Sequence, residues 1–120
     1  MTEFQSLVRE ARLAFNYELG LAHRKNGDYE AAIGEFQRTL ELDPHFAEAH
    51  LQLGEIYREH LKRADIASPF FRCYLELRPE AGNLEQIKGW LIKSQKEIET
   101  REAAKQWGGG FFRNLGRIFR

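Results

Sequence analysis

The chain is poor in cysteine, proline and C-terminal acid. Its 120 residues hold one cysteine and three prolines, and no aspartate or glutamate follows Glu102. A single thiol, Cys73, excludes an internal disulfide and a cysteine zinc cluster. Nowhere do the roughly 18 consecutive apolar residues of a membrane span occur. The opening MTEFQSLVRE lacks the basic and apolar regions of a secretory signal. These absences favour a reducing, cytoplasmic setting. No glycine-rich phosphate loop is present, because Gly108-Gly109-Gly110 follows no strand.

What remains suits one helical domain. A hydrophobic content of 42% beside 30% charge builds a thin core under a solvated surface. Net charge is +0, yet Lys105, Arg113, Arg117 and Arg120 leave −4 on residues 1–104. The body is mildly acidic and the tail basic. Nucleic acid would need a basic face on the folded body, and none is evident, so no nucleic-acid partner is expected.

One segment is read twice. Leu19-Gly20 recurs as Leu53-Gly54, 34 residues on. Ala32, Phe36 and Pro44 recur as Ala67, Phe71 and Pro79, 35 residues on, so one residue is inserted between Tyr57 and Ala67. A period of this size points to stacked helical hairpins. Gly20 and Gly54 let one helix of a hairpin approach its partner, with Ala32 and Ala67 doing the same from the other side. The aromatics fill space between hairpins, and Pro44 and Pro79 end each second helix. With Gly27, Asp28 and Tyr29 in the first copy and Tyr57 in the second, this ordered set resembles the tetratricopeptide (TPR) repeat. The resemblance implies an all-α fold of two TPR-like helix-turn-helix repeats, to which the residue pattern adds an extended first helix, a C-terminal capping helix and a short amphipathic tail helix.

In chain order, Thr2 with Gln5 predicts a capping box, and a first helix over about 3–25. Phe4, Leu7 and Val8 extend beyond the hairpin and are expected to pack on the chain's own later helices. Gly27 ends this helix and Asp28 caps the next, whose buried stripe is Tyr29, Ala32, Ile33, Phe36 and Leu40. A third helix over about 46–60 turns Ala49, Leu53, Ile56 and Tyr57 inward. For the fourth, either Asp65 caps with Pro69 in the first turn, or Ser68 caps with Pro69 at the first helical position. A fifth helix over about 84–105 starts after Asn83, with Leu84, Ile87, Trp90, Leu91 and Ile98 as its apolar residues, and closes the array. The expected domains are a TPR-like helical domain at 1–106, a glycine hinge at 107–110 and a basic amphipathic tail at 111–120. At about 100° per residue, Phe111, Phe112, Leu115, Ile118 and Phe119 share one face of that tail, opposite its arginines.

Catalysis has little to stand on. His23, His45, His50 and His60 lack the spacing and acidic neighbours of a helical zinc site, and Cys73 reads as a small core residue without a basic partner. No catalytic residue, metal or cofactor is expected. The resemblance implies a protein-binding groove lined by the first helix of each hairpin. Here that lining is Tyr17, Leu21, Arg24 and Lys25, then Glu48, Leu51, Glu55 and Arg58, then Gln86 and Trp90. The same side chains could instead simply fill a short superhelix. Some members of the family grip a chaperone's terminal carboxylate with basic side chains. The matching positions here are Tyr17, Leu21, Gln52, Asn83 and Ile87, and none is basic, so that ligand is disfavoured. The expected function is a non-catalytic scaffold or adaptor, a small subunit or docking factor of a larger assembly acting through its groove, its C-terminal helix, or both. The alternative is a peripheral membrane-associated protein anchored by the tail. The tail therefore has three possible seats: its own domain, a membrane surface or a partner protein.

Overall fold

The computed structural model describes the backbone from Met1 to Ile118 and the side chains from Met1 to Gln106. Five α-helices are present among the described residues: α1 Glu3–Lys25, α2 Tyr29–Leu42, α3 Ala47–Glu59, α4 Ala64–Leu77 and α5 Leu84–Ile118. The chain divides into two units, Met1–Leu84 and Glu85–Arg120. In the first, α1 packs on α2, α3 on α4, and α2 on α3, which makes two helical hairpins side by side.

The start of α1 is closed by the expected capping box, Thr2 and Gln5 each bonding the other's backbone N–H. Its end is a glycine-stopped Schellman turn: Asp28 N–H reaches His23 O at 2.9 Å, Gly27 N–H reaches Arg24 O at 3.0 Å, and Gly27 takes φ +80°. Asp28 then caps α2, its carboxylate accepting from Ala31 N–H. The expected stripe is inward, with Ala32 and Phe36 fully buried and Tyr29, Ile33 and Leu40 packed on the central cluster they form with Ala49, Leu53 and Ile56.

Each hairpin closes through a glycine and a phenylalanine. A Cβ added at Gly20 would lie 2.6 Å from the Phe36 ring, and one at Gly54 would lie 2.9 Å from the Phe71 ring. Both rings are buried. The aromatics thus fill each hairpin across its glycine, rather than the space between hairpins that the sequence suggests.

Other expectations need correcting. Neither Asp65 nor Ser68 caps α4; its N-cap is Arg63, without a side-chain cap, and Pro69 lies inside the helix. Asp65 instead pairs with Arg63 at 3.0 Å, and Ser68 Oγ donates to Ala64 O at 2.8 Å. Cys73 is exposed, because Ala67, Phe71 and Tyr74 take the inward face of α4 and position 73 falls outside it. Phe4, Leu7, Val8 and Phe15 are exposed as well, so within the first unit α2, α3 and α4 do not cover them. In α2, two buried polar positions went unforeseen. Thr39 is sealed in, its hydroxyl donating to Glu35 O at 3.0 Å, and Glu35 is buried in an ion pair with Arg38.

In the second unit, Ile87 and Ser94 are buried, while Ile92 is exposed. Gln95 Nε2 donates to Glu99 Oε1 at 3.1 Å along the helix. α5 does not stop near Lys105 but runs through Gly108–Gly110 to Ile118, so no helix break marks the expected hinge. Glycine costs an interior helical position only about 1 kcal/mol against alanine, which weakens a helix without forbidding it. The apolar face read at Phe111, Phe112, Leu115 and Ile118 lies outside the described side chains, as does Phe119 altogether.

Candidate partner-binding face

The first helices of the two hairpins meet along one edge. On α1, Tyr17, Leu21 and Arg24 recur at i, i+4 and i+7, so they share a face. On α3, Glu48, Gln52, Glu55 and Glu59 continue the same rhythm. Tyr17 is the apolar anchor, its ring set edge-on to Phe46 with centroids 5.0 Å apart and tilted against Phe36 at 5.7 Å. Leu21 packs on the central cluster beside it. Arg24 then reaches across to α3. Its guanidinium donates to Glu55 at 2.7 Å, to Glu59 at 3.4 Å and to the Gln52 amide oxygen.

Burial sets the strength of this bridge. The Arg24 and Glu55 side chains are 22% and 28% exposed, so solvent screens them only in part. Charge-assisted bonds in such a setting contribute about 1.5–3 kcal/mol each before the cost of ordering the side chains. The Tyr17 hydroxyl is pushed above its ordinary pKa, mainly by burial and then by the nearby Glu48 carboxylate, while a hydrogen bond with Gln52 opposes the rise. It therefore stays a neutral phenol at physiological pH, able to give and take hydrogen bonds.

The predicted lining is only partly brought together. Tyr17, Leu21, Arg24 and Glu55 form the strip just described. Glu48 is paired with Arg78 at 3.3 Å, and Leu51 is half-buried on α3. Lys25 is exposed at the end of α1. Arg58 turns toward α4, its guanidinium 5.9 Å from the centroid of the Phe71 ring and 3.0 Å from Glu59. On α5, within the second unit, Gln86 is exposed and Trp90 half-buried. Sequence reasoning missed Phe46, Glu59 and Arg78, and it placed Gln52 only among the carboxylate-gripping positions. The signal for Gln52 and Glu59 was present, since both extend the Glu48–Glu55 rhythm by whole turns. Of the remaining gripping positions, Asn83 Oδ1 accepts from the Tyr74 hydroxyl at 3.2 Å, and Ile87 is buried.

A face of this kind offers apolar anchors and fixed charges for recognition. Among the described residues no three histidine, cysteine or acidic side chains gather as metal ligands. No helix among them is long and apolar enough to cross a membrane.

These helical hairpins with their repeated glycine and aromatic positions define an α-helical repeat protein. Residues 15–60 match the family model described as TPR repeat, and the chain carries tetratricopeptide-repeat sequence there. Among curated proteins it is similar to DnaJ protein P58IPK homolog B of Oryza sativa subsp. japonica, 31% identical over 72 residues. That match takes 60% of this chain and 15% of the relative. It is also similar to Photosystem I assembly protein Ycf3 of Acaryochloris marina, 26% identical over 88 residues, or 62% of this chain and 52% of the relative. The chain thus spans about half of one relative and a small part of the other. TPR repeats are protein-interaction modules, and neither the family description nor these names denotes a catalyst.

Proposed function

We propose that the chain is a non-catalytic scaffold or adaptor that joins a larger protein assembly as a small subunit or docking factor. The supporting observation is the ordered strip at Tyr17, Leu21, Arg24 and Glu55. Its side chains are already held by ring contacts and ion pairs, so a partner segment would bind without the entropy cost of fixing them. The strip carries both signs of charge around an apolar centre, with Lys25 and Leu51 at its margins. That composition fits a peptide or helix with apolar anchors and mixed charge. The name of the Ycf3 relative, a photosystem I assembly protein, agrees in kind with an assembly role.

The C-terminal segment is the second proposed contact. Its sequence spacing aligns Phe111, Phe112, Leu115, Ile118 and Phe119, a pattern suited to docking along a partner's apolar groove. The test is affinity capture with the full chain, followed by titration of the captured partner in purified form. One partner at defined stoichiometry is expected. Lys25→Glu should weaken it several-fold, and Leu115→Asp should abolish it by burying a charge at an apolar anchor. A partner that binds both variants as it binds the parent would remove this reading.

A further inference from the structure

The outward face of α1 carries an apolar stripe that the hairpin does not use. Phe4, Leu7, Val8 and Phe15 are 74%, 59%, 42% and 65% exposed, and Ala11 between them is exposed too. At about 100° per residue these five side chains lie within an arc of roughly 100°. Gly20, Tyr17 and Arg24, which face the rest of the unit, lie on the far side of the same helix, with Leu21 on the flank between. The stripe is therefore centred on a face that the core does not use.

Its composition has a symmetry of its own. Phe4, Val8, Ala11 and Phe15 are spaced 4, 3 and 4 residues apart, the rhythm that keeps a seam facing a second helix. Size follows the same order from either end: large, small, small, large. A two-fold interface must be self-complementary, and a stripe that reads alike in both directions meets that condition when two copies run antiparallel. Phe4 of one copy then meets Phe15 of the other, and Val8 meets Ala11. Leu7 and Ala14 widen the seam along one flank. A parallel pairing would instead set Glu18 against Glu18, next along the same stripe, which like-charge repulsion disfavours.

The area is sufficient. Two phenylalanines of the usual ~200 Å², 74% and 65% exposed, together with Leu7, Val8 and Ala11, offer on the order of 450 Å² of apolar surface per copy. That lies within the range of functional patches on monomers. Two copies with their polar margins reach about 1,000–1,200 Å², the lower end of specific interfaces. We infer that the chain self-associates as an antiparallel two-fold dimer through the outer face of α1.

The test is sedimentation equilibrium of the full chain from about 1 µM to about 1 mM, where an interface of this size should show a micromolar Kd. Val8→Asp should raise that Kd by at least about 100-fold, since it sets a charge against Ala11 of the other copy. Val8 is exposed in the single chain, so the variant's melting at low concentration should match the parent's. Orientation is read in a Cys73→Ser background. A mixture of Phe4→Cys and Phe15→Cys chains should form mixed disulfides faster than either variant does alone. Four results would overturn the inference: a monomer across the whole range, a dimer indifferent to Val8→Asp, Phe4→Cys chains that cross-link best with themselves, or a monomer that uses the stripe only to bind lipid vesicles or an amphipathic peptide.

Discussion

The two hairpins share one closure and differ in their turns. Both are closed by a phenylalanine of the second helix lying against a glycine of the first, Phe36 on Gly20 and Phe71 on Gly54. In the first, the turn is made by Gly27 at positive φ and an aspartate that caps the helix after it. In the second, the inserted residue shifts the corresponding pair to Lys62 and Arg63. Lys62 takes φ 54° with a side chain, and Arg63 offers no side-chain cap. The backbone still closes, through Arg63 N–H to Tyr57 O at 2.8 Å. Packing across the hairpin thus fixes the geometry, and turn chemistry only makes it cheaper.

The largest effects should come from the closure itself. Phe36→Ala is expected to cost about 3–5 kcal/mol in urea unfolding, and Phe71→Ala somewhat less, because Phe36 belongs to the central cluster. Equal or trivial losses would mean that the two hairpins are not held as described. Next come the glycines. Gly20→Leu should cost about 1–3 kcal/mol or more by overpacking, and Gly54→Leu less, since the Phe71 ring stands slightly farther from its glycine. A Gly20→Leu chain that melts like the parent would contradict the closure.

Much of this architecture was legible because it rests on local chemistry. Thr2 with Gln5, Gly27 and Asp28 each announce a helix end through a bond they make within a few residues. The period of Gly20, Phe36, Gly54 and Phe71 marks the closure, though not that the rings lie against the glycines. What was illegible depends on tertiary setting. Pro69 reads as a start signal, yet Arg63 and Ala64 open α4 earlier, because the repeat's packing at Ala67 and Phe71 requires a full-length helix. Cys73 reads as core by residue type, while helical phase puts it outside. Of the candidate face, Tyr17, Leu21, Arg24 and Glu55 lie together on one strip. Arg58 does not, since its guanidinium lies over the buried Phe71 ring of α4 instead.

The turns should respond in the opposite direction. Lys62→Gly with Arg63→Asn copies the chemistry of the first turn and should stabilise the chain by about 0.5–2 kcal/mol, through relief of the left-handed backbone and a new cap. The same melts would show a loss if the Lys62 conformation were held by something other than chain closure. The smallest expected effect is alkaline. Tyr17 has its folded pKa raised above the ordinary value near 10, so the folded state holds its proton longer than the unfolded state. Its contribution is full below pH ~10 and is lost as pH rises through the folded pKa. Tyr17→Phe should flatten that decline in a series of denaturant melts, and an unchanged slope would count against the burial of the phenol.

The central functional claim concerns the α1 and α3 face, and nuclear magnetic resonance titration with the purified partner addresses it most directly. The account predicts shift changes clustered at Tyr17, Leu21, Lys25, Glu48, Leu51 and Glu55, with the outer faces of α2 and α4 quiet. Changes confined to those outer faces would contradict it.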